Sequence, residues 1–346
     1  MLMEEQQLRG TDRDRLSHLK ANWFPLVLIT IVAIVIAVNC ITGHNESKSI
    51  VRRLATYTAT QATDTVWRGW SKYHIPVGTA DGDLVWYGHE LISNTSFYLG
   101  PNGTVAQITN GMNCQNCHLD GGTLPYGNNF GKVYATYPKY RARNNGIQNI
   151  YDRINDCLER SLNGKTMDTA TREMQAIYAY FKWLGEDVPK GVAKGGTSLM
   201  KLPYLDRAAD PLAGKQVYTA YCQSCHGANG EGQMKSDSTG YTYPPLWGAH
   251  SYNDGAGLHR LSSFAAFVKN NMPFGTDYHN PKLSNEEAWD VAAYVNSQPR
   301  PHKDQVADWQ DLAKKPVDFP FGPYADTFSE RRHKYGPFKS IKNVQQ

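Results

Sequence analysis

The chain has 346 residues, with 36 Lys and Arg against 32 Asp and Glu and a formal net charge of +4. That length accommodates two domains, and a charge so near balance lacks the basic excess of a nucleic-acid-binding protein, so nucleic acid is not an expected partner. Six cysteines, mostly committed to two short motifs, do not make a disulfide framework, while 21 Tyr and 8 Trp suit small domains that wrap a large flat surface.

Residues 1–22 are polar and place Arg9, Arg13, Arg15 and Lys20 ahead of an apolar segment. No charged residue occurs from Ala21 to Asn45, and Phe24–Thr42 is dominated by Ile, Val, Leu and Ala. At helical rise that run covers about 28 Å, one hydrocarbon core. It predicts a single transmembrane anchor over 23–43. The run is longer than a signal-peptide core and ends Ala37-Val-Asn-Cys-Ile-Thr rather than in a small-x-small exit. The basic residues before it favour a cytoplasmic 1–22, with everything after the anchor on the far side. Cys40 reads as a membrane-boundary residue.

A helical spacer is expected over 44–80, then a first domain over 81–187. Asp83–Ser93 has apolar positions at helical spacing behind an acidic start, so it predicts the opening helix. Next comes Cys114-Gln-Asn-Cys117-His118, a C-x-x-C-H. In that pattern two thiols add across the porphyrin vinyl groups and the next residue presents an imidazole to the iron, which is the chemistry of covalent haem c. Loops rich in Gly, Asn and Pro run to Arg143. Gly146–Gly164 then predicts a helix with Ile147, Ile150, Ile154, Leu158 and Leu162 inward, and a closing helix is expected from Asp168 or Thr169 to Gly185.

Residues 188–210, punctuated by Pro189, Gly191, Gly195, Gly196 and Pro203, predict an extended linker. The plan then repeats over 211–300. Leu212–Tyr221 leads into Cys222-Gln-Ser-Cys225-His226, loops follow, and Ser284-Asn-Glu-Glu287 is a capping box opening a helix to Asn296. Two motifs require two covalently bound haems c; a zinc site would leave each histidine surplus. The fold class is therefore mainly α: two tandem class I cytochrome c domains behind one transmembrane helix. Because bacterial covalent haem attachment occurs outside the cytoplasm, the domains belong in the periplasm, anchored to the inner membrane. Residues 301–346, rich in Pro, Lys and aromatics, are expected to wrap the domains as an irregular arm.

Each iron needs a second axial ligand. In the second domain Met272, before Pro273 and ahead of the capping box, fits, and His/Met ligation suits electron transfer. At the corresponding place in the first domain stands Cys157, with Met167 as the rival. Arg153, Cys157 and Ser161 fall on one helix face, an arrangement suited to an anion approaching a sulfur held as thiolate.

The run Arg153-Ile-Asn-Asp-Cys157-Leu-Glu-Arg-Ser161-Leu-Asn-Gly164, with Tyr137-Pro-Lys-Tyr-Arg-Ala-Arg143, resembles the first domain of bacterial dihaem thiosulfate dehydrogenases. Tyr243-Pro-Pro-Leu-Trp-Gly248, Ser251-Tyr-Asn-Asp-Gly-Ala-Gly257 and Asn271-Met-Pro-Phe-Gly275 resemble the second, and Lys315-Pro-Val-Asp318 and Gly322-Pro-Tyr-Ala-Asp326 resemble the tail. The resemblance implies coupling of two thiosulfates to tetrathionate, or the reverse. Cys157 would be the sulfur-reactive ligand, and Arg143, Arg153 and Ser161 would bind sulfonate oxygens. Electrons would leave through the His226/Met272 haem to a cytochrome c or a respiratory oxidase. Some relatives carry a lysine beside that methionine; here the position is Asn271 and the nearest lysine is Lys269. Two other readings stay open: a membrane-anchored electron shuttle without substrate chemistry, and a sulfur transferase acting on a carrier protein.

Overall fold

The computed structural model describes Trp67, Gly69 and residues 72–344. The expected anchor over 23–43, Cys40 and most of the spacer lie outside the described residues. Among those described, no helix is long and apolar enough to cross a membrane.

Helix α1 (Ala80–Ser93) starts earlier than Asp83 because Thr79 caps it, its hydroxyl accepting from the Gly82 N–H at 3.1 Å. The first C-x-x-C-H does not follow directly. A further turn, Thr95–Leu99, and a loop intervene, then fold back so that the motif abuts the end of α1. The Cys114 N–H donates to the Thr95 hydroxyl at 2.9 Å, and the Gln115 amide to the Ser93 carbonyl at 2.6 Å.

The helix expected from Gly146 is corrected. Strand β1 (Lys139–Arg141) pairs antiparallel with β2 (Gly146–Gln148), and Ile147, expected inward, is 71% exposed. Helix α2 (Ile150–Arg160) begins only after Asn149, whose side chain accepts from the Asp152 N–H while Asp152 accepts from the Asn149 N–H. That reciprocal box satisfies the free N–H groups of the first turn and fixes the start there. Ile150, Ile154, Leu158 and Leu162 are buried as expected. The closing helix, α3 (Arg172–Leu184), starts later than expected, capped by Thr171, and ends against Gly185.

In the second half, α4 (Pro211–Tyr221) is capped by Asp210, with Pro211 in the first turn where no N–H is needed. It runs straight into Cys222. Helix α5 (Leu261–Asn271) falls where only loops were expected. Leu261, Phe264, Ala265, Ala266, Phe267 and Val268 are all buried, and so are the polar Asn270 and Asn271, so buried positions run round the axis and no single apolar stripe marks the helix in sequence. Helix α6 (Asn285–Ser297) opens with the expected box between Ser284 and Glu287.

In both halves the first and last helices cross at a glycine. A Cβ on Gly88 would sit 2.0 Å from the Ala176 carbonyl oxygen of α3, and one on Gly214 1.9 Å from the Asp290 carbonyl oxygen of α6. Only glycine lets the backbones approach this closely. The arm after residue 300 is largely irregular, as expected, but it ends in two short helices that were not, α7 (Glu330–Tyr335) and α8 (Phe338–Val344). Each is too short to display a period, yet Phe338 and Ile341 are 3% and 0% exposed within the core.

Candidate functional site

Three adjoining cavities define the site. The first, about 220 Å³, has Cys114, Cys117 and His118 in its lining together with Cys157 of α2. The His118 Nδ1–H donates to the Asn128 carbonyl at 2.5 Å, which fixes the tautomer and leaves Nε2 with a lone pair; Phe130 stacks on the ring at 4.2 Å. Burial pushes the His118 pKa down to about 4, so the ring stays neutral as a metal ligand must.

The cavity of the second half, about 530 Å³, repeats the arrangement with Cys222, Cys225, His226 and Met272. The His226 Nδ1–H donates to the Pro244 carbonyl at 2.8 Å, and burial again holds the ring below its ordinary pKa. Met272 caps α5 with an extended backbone (φ −132, ψ 149), as expected before proline. The two candidate sulfur ligands are thus presented differently, Cys157 from inside a helix and Met272 from just beyond one. Burial pushes the Cys114, Cys117 and Cys222 thiols up to about 12, so none is primed as a free thiolate. Two thiols, a neutral imidazole and a further sulfur around each apolar cavity fit a covalently attached haem. Met167, the rival to Cys157, is 7% exposed, lines none of the three cavities and is held by Asn155, which bonds both its N–H and its carbonyl.

The third cavity, about 150 Å³, also includes Cys157 in its lining and is built jointly by the two halves. Arg143, Arg153 and Ser161, all expected from the sequence, line it with Cys157. Arg153 is pushed above its ordinary pKa, first by the charge of Cys157. Tyr252, Gly257, Leu258 and Ser263 come from the second half and Leu199 from the linker.

Sequence reasoning missed Arg141, Asp156 and Arg160, which line the same pocket. Asp156 and Arg160 are four residues apart on α2, a helical spacing that could have drawn attention to them. Asp156 pairs with Arg143 Nη2 at 2.5 Å and takes a bond from Gln148 at 3.0 Å. Burial alone would raise the Asp156 pKa, but Arg143, Gln148 and neighbouring arginines outweigh it and hold the carboxyl below its usual range. Arg160 forks onto Asp308 of the arm with two bonds of 2.8 Å. The Asn253 amide donates to the Glu159 carbonyl and to Asn163, docking the Ser251–Gly257 segment on the end of α2. Cys117 belongs to all three cavities, and Tyr252 to both the shared pocket and the second haem cavity.

The SoxA/TsdA cytochrome c domain family matches residues 104–189, and the cytochrome c family matches residues 212–299. Over 224 residues the chain is 40% identical to a thiosulfate dehydrogenase of Allochromatium vinosum, covering 64% of this chain and 79% of that one. The chain belongs to the thiosulfate dehydrogenase family. A second member, from Psychrobacter arcticus, is 40% identical over 221 residues, 63% of this chain and 64% of its own. Among solved structures, the thiosulfate dehydrogenase TsdBA of Marichromatium purpuratum superposes with a TM-score of 0.64 at 32% identity, covering 72% of this chain and 52% of that one. The chain therefore spans just under two thirds of the Psychrobacter relative and about half of the Marichromatium chain. As in a dihaem member of the thiosulfate dehydrogenase family, its two cytochrome c domains carry two covalently bound haems c.

Proposed function

We propose that this protein joins two thiosulfate dianions into tetrathionate, or runs the reverse, at Cys157. The observation that carries the reading is the position of Cys157, which lines both the first haem cavity and the arginine-rich pocket beyond it. A shuttle has no use for that second pocket.

Cys114 and Cys117 would hold the first haem, together with His118 and Cys157 of the same cavity. Cys222 and Cys225 would hold the second, with His226 and Met272. When bound, the two haems would supply two one-electron acceptors, matching the two electrons the reaction releases; a thiolate from Cys157 would lower the potential of the first and Met272 would raise that of the second. The Cys157 thiolate forms an S–S bond to the sulfane sulfur of one thiosulfate, and two electrons leave. A second thiosulfate attacks that sulfur, forming the central S–S bond of tetrathionate and releasing Cys157 as thiolate. Charges balance in both steps. Arginines and Ser161 hold sulfonate oxygens and offset the repulsion between dianions.

The second domain would pass electrons to an external cytochrome c or a respiratory oxidase. The apolar run at 23–43 would hold the protein at the periplasmic face of the inner membrane, close to such an acceptor.

The test compares the unaltered holoprotein with Cys157→Ala and Cys157→Met by low-temperature electron paramagnetic resonance and by thiosulfate oxidation. A thiolate-type low-spin signal that both substitutions abolish, together with activity, is the expected result. If Cys157→Met leaves turnover intact, or the signals ignore both changes, the electron-shuttle reading replaces this one.

A further inference from the structure

Four guanidinium groups line the pocket beyond Cys157, from Arg141, Arg143, Arg153 and Arg160. Two of them are already neutralised. Arg143 is held by Asp156 at 2.5 Å, and Arg160 is forked onto Asp308 with Asp156 a further 3.7 Å away. These side chains are buried, so each carboxylate cancels a cation in a medium where the charge matters. Arg141 on β1 and Arg153 on α2 make no hydrogen bond or ion pair with a protein group among the described residues. Both act on one neighbour, Lys139, whose pKa is pushed down to about 8, first by burial and then by Arg141, Lys132 and Arg153. Among the described residues, two cations without a carboxylate partner, Arg141 from β1 and Arg153 from α2 beside the Cys157 sulfur, therefore line the space in front of Cys157.

Tetrathionate carries two charges, one on each terminal sulfonate, with the reacting sulfurs between them. Two free guanidiniums near a sulfur nucleophile match that distribution, and planar forked donors suit sulfonate oxygens. We infer that Arg141 is a second sulfonate anchor: Arg153 holds the sulfonate nearer Cys157 and Arg141 the distal one. Arg143, committed to Asp156, is a positioning residue that shapes the pocket wall. The inference rests on the thiosulfate reading above and adds to it the residue that distinguishes a two-ended substrate from a one-ended one.

Arg141 also borders the first haem cavity, where a haem propionate is an oxyanion of the same kind. Lys132 and Lys139 border that cavity but not the pocket, so cations for a propionate are present without Arg141.

The experiment uses the holoprotein and the variants Arg141→Gln, Arg141→Lys and Arg153→Gln. Tetrathionate is titrated into the oxidised protein and thiosulfate into the chemically reduced protein, followed by haem difference spectra, and the midpoint potentials of both haems are measured. Arg141→Gln is expected to weaken tetrathionate tenfold or more and thiosulfate less than threefold, with potentials unchanged. Arg141→Lys should restore part of the tetrathionate affinity, and Arg153→Gln should weaken both ions. Equal or absent effects of Arg141→Gln on the two ions overturn the inference. So does a shifted potential of the first haem with unchanged affinities, which makes Arg141 a propionate ligand. Unaltered protein that turns over neither ion overturns the proposed function itself, and this inference with it.

Discussion

Removing Asp308 tests how the arm holds the candidate site. Arg160 and Asp308 are 7% and 8% exposed at their side chains and share two bonds of 2.8 Å. In Asp308→Ala the guanidinium stays buried, with the Gly255 carbonyl at 3.4 Å and Asp156 at 3.7 Å as its remaining neighbours. Breaking a buried pair from one side costs roughly 3–5 kcal/mol. Because Asp156 offers partial compensation, the lower end, about 3 kcal/mol, is expected. At roughly 2–4 °C per kcal/mol for a body of this size, the Tm should fall by about 6–12 °C. The assay is thermal unfolding of the holoprotein by circular dichroism, with limited proteolysis to show whether the segment after residue 300 becomes accessible. The double variant Arg160→Met with Asp308→Leu should recover most of the loss, because an apolar pair leaves no buried charge. A shift below about 2 °C for Asp308→Ala would refute the reasoning.

Two further predictions concern stability. Gly88→Ala should lower the yield of folded holoprotein and its Tm, although alanine favours a helix by about 1 kcal/mol over glycine, because the added Cβ meets the Ala176 carbonyl at 2.0 Å; an unchanged Tm would show that the crossing relaxes freely. Burial, with Arg300 and Lys334 adding to it, pushes the His259 pKa down to about 3. The unfolded chain binds that proton more readily, so the stabilisation is complete above about pH 6.5 and is lost as pH falls toward 3. Tm measured from pH 7 to 4.5 should therefore decline, and His259→Gln should flatten the decline; an identical slope in the variant would exclude His259 as its source.

Features set by neighbouring residues were legible in the sequence. Each C-x-x-C-H states its chemistry within five residues, and Ser284 and Glu287 announce the start of α6 because a capping box is a local exchange of hydrogen bonds. Cys157 stood out by comparing the order of parts in the two halves. The same local logic misled at Gly146, where an apolar period ran on through Ile147 although the Asn149–Asp152 box starts α2 further along. It could not register α5, whose buried residues surround the axis, or α7 and α8, which offer too few turns for a period.

What the sequence by itself offered is the pair of C-x-x-C-H motifs that two covalent haems c call for, the sulfur candidates Cys157 and Met272, and the grouping of Arg153 and Ser161 with Cys157 along one helix and its cap. What only the tertiary structure decided is which cations are free to meet a substrate. Four arginines look alike along the chain. Asp308 reaches Arg160 from the arm, Asp156 pairs with Arg143 in the β1–β2 connection, and among the described residues Arg141 and Arg153 have no carboxylate partner. Charge compensation acts through space at hydrogen-bond distance, so the chain order of these residues carries no record of it.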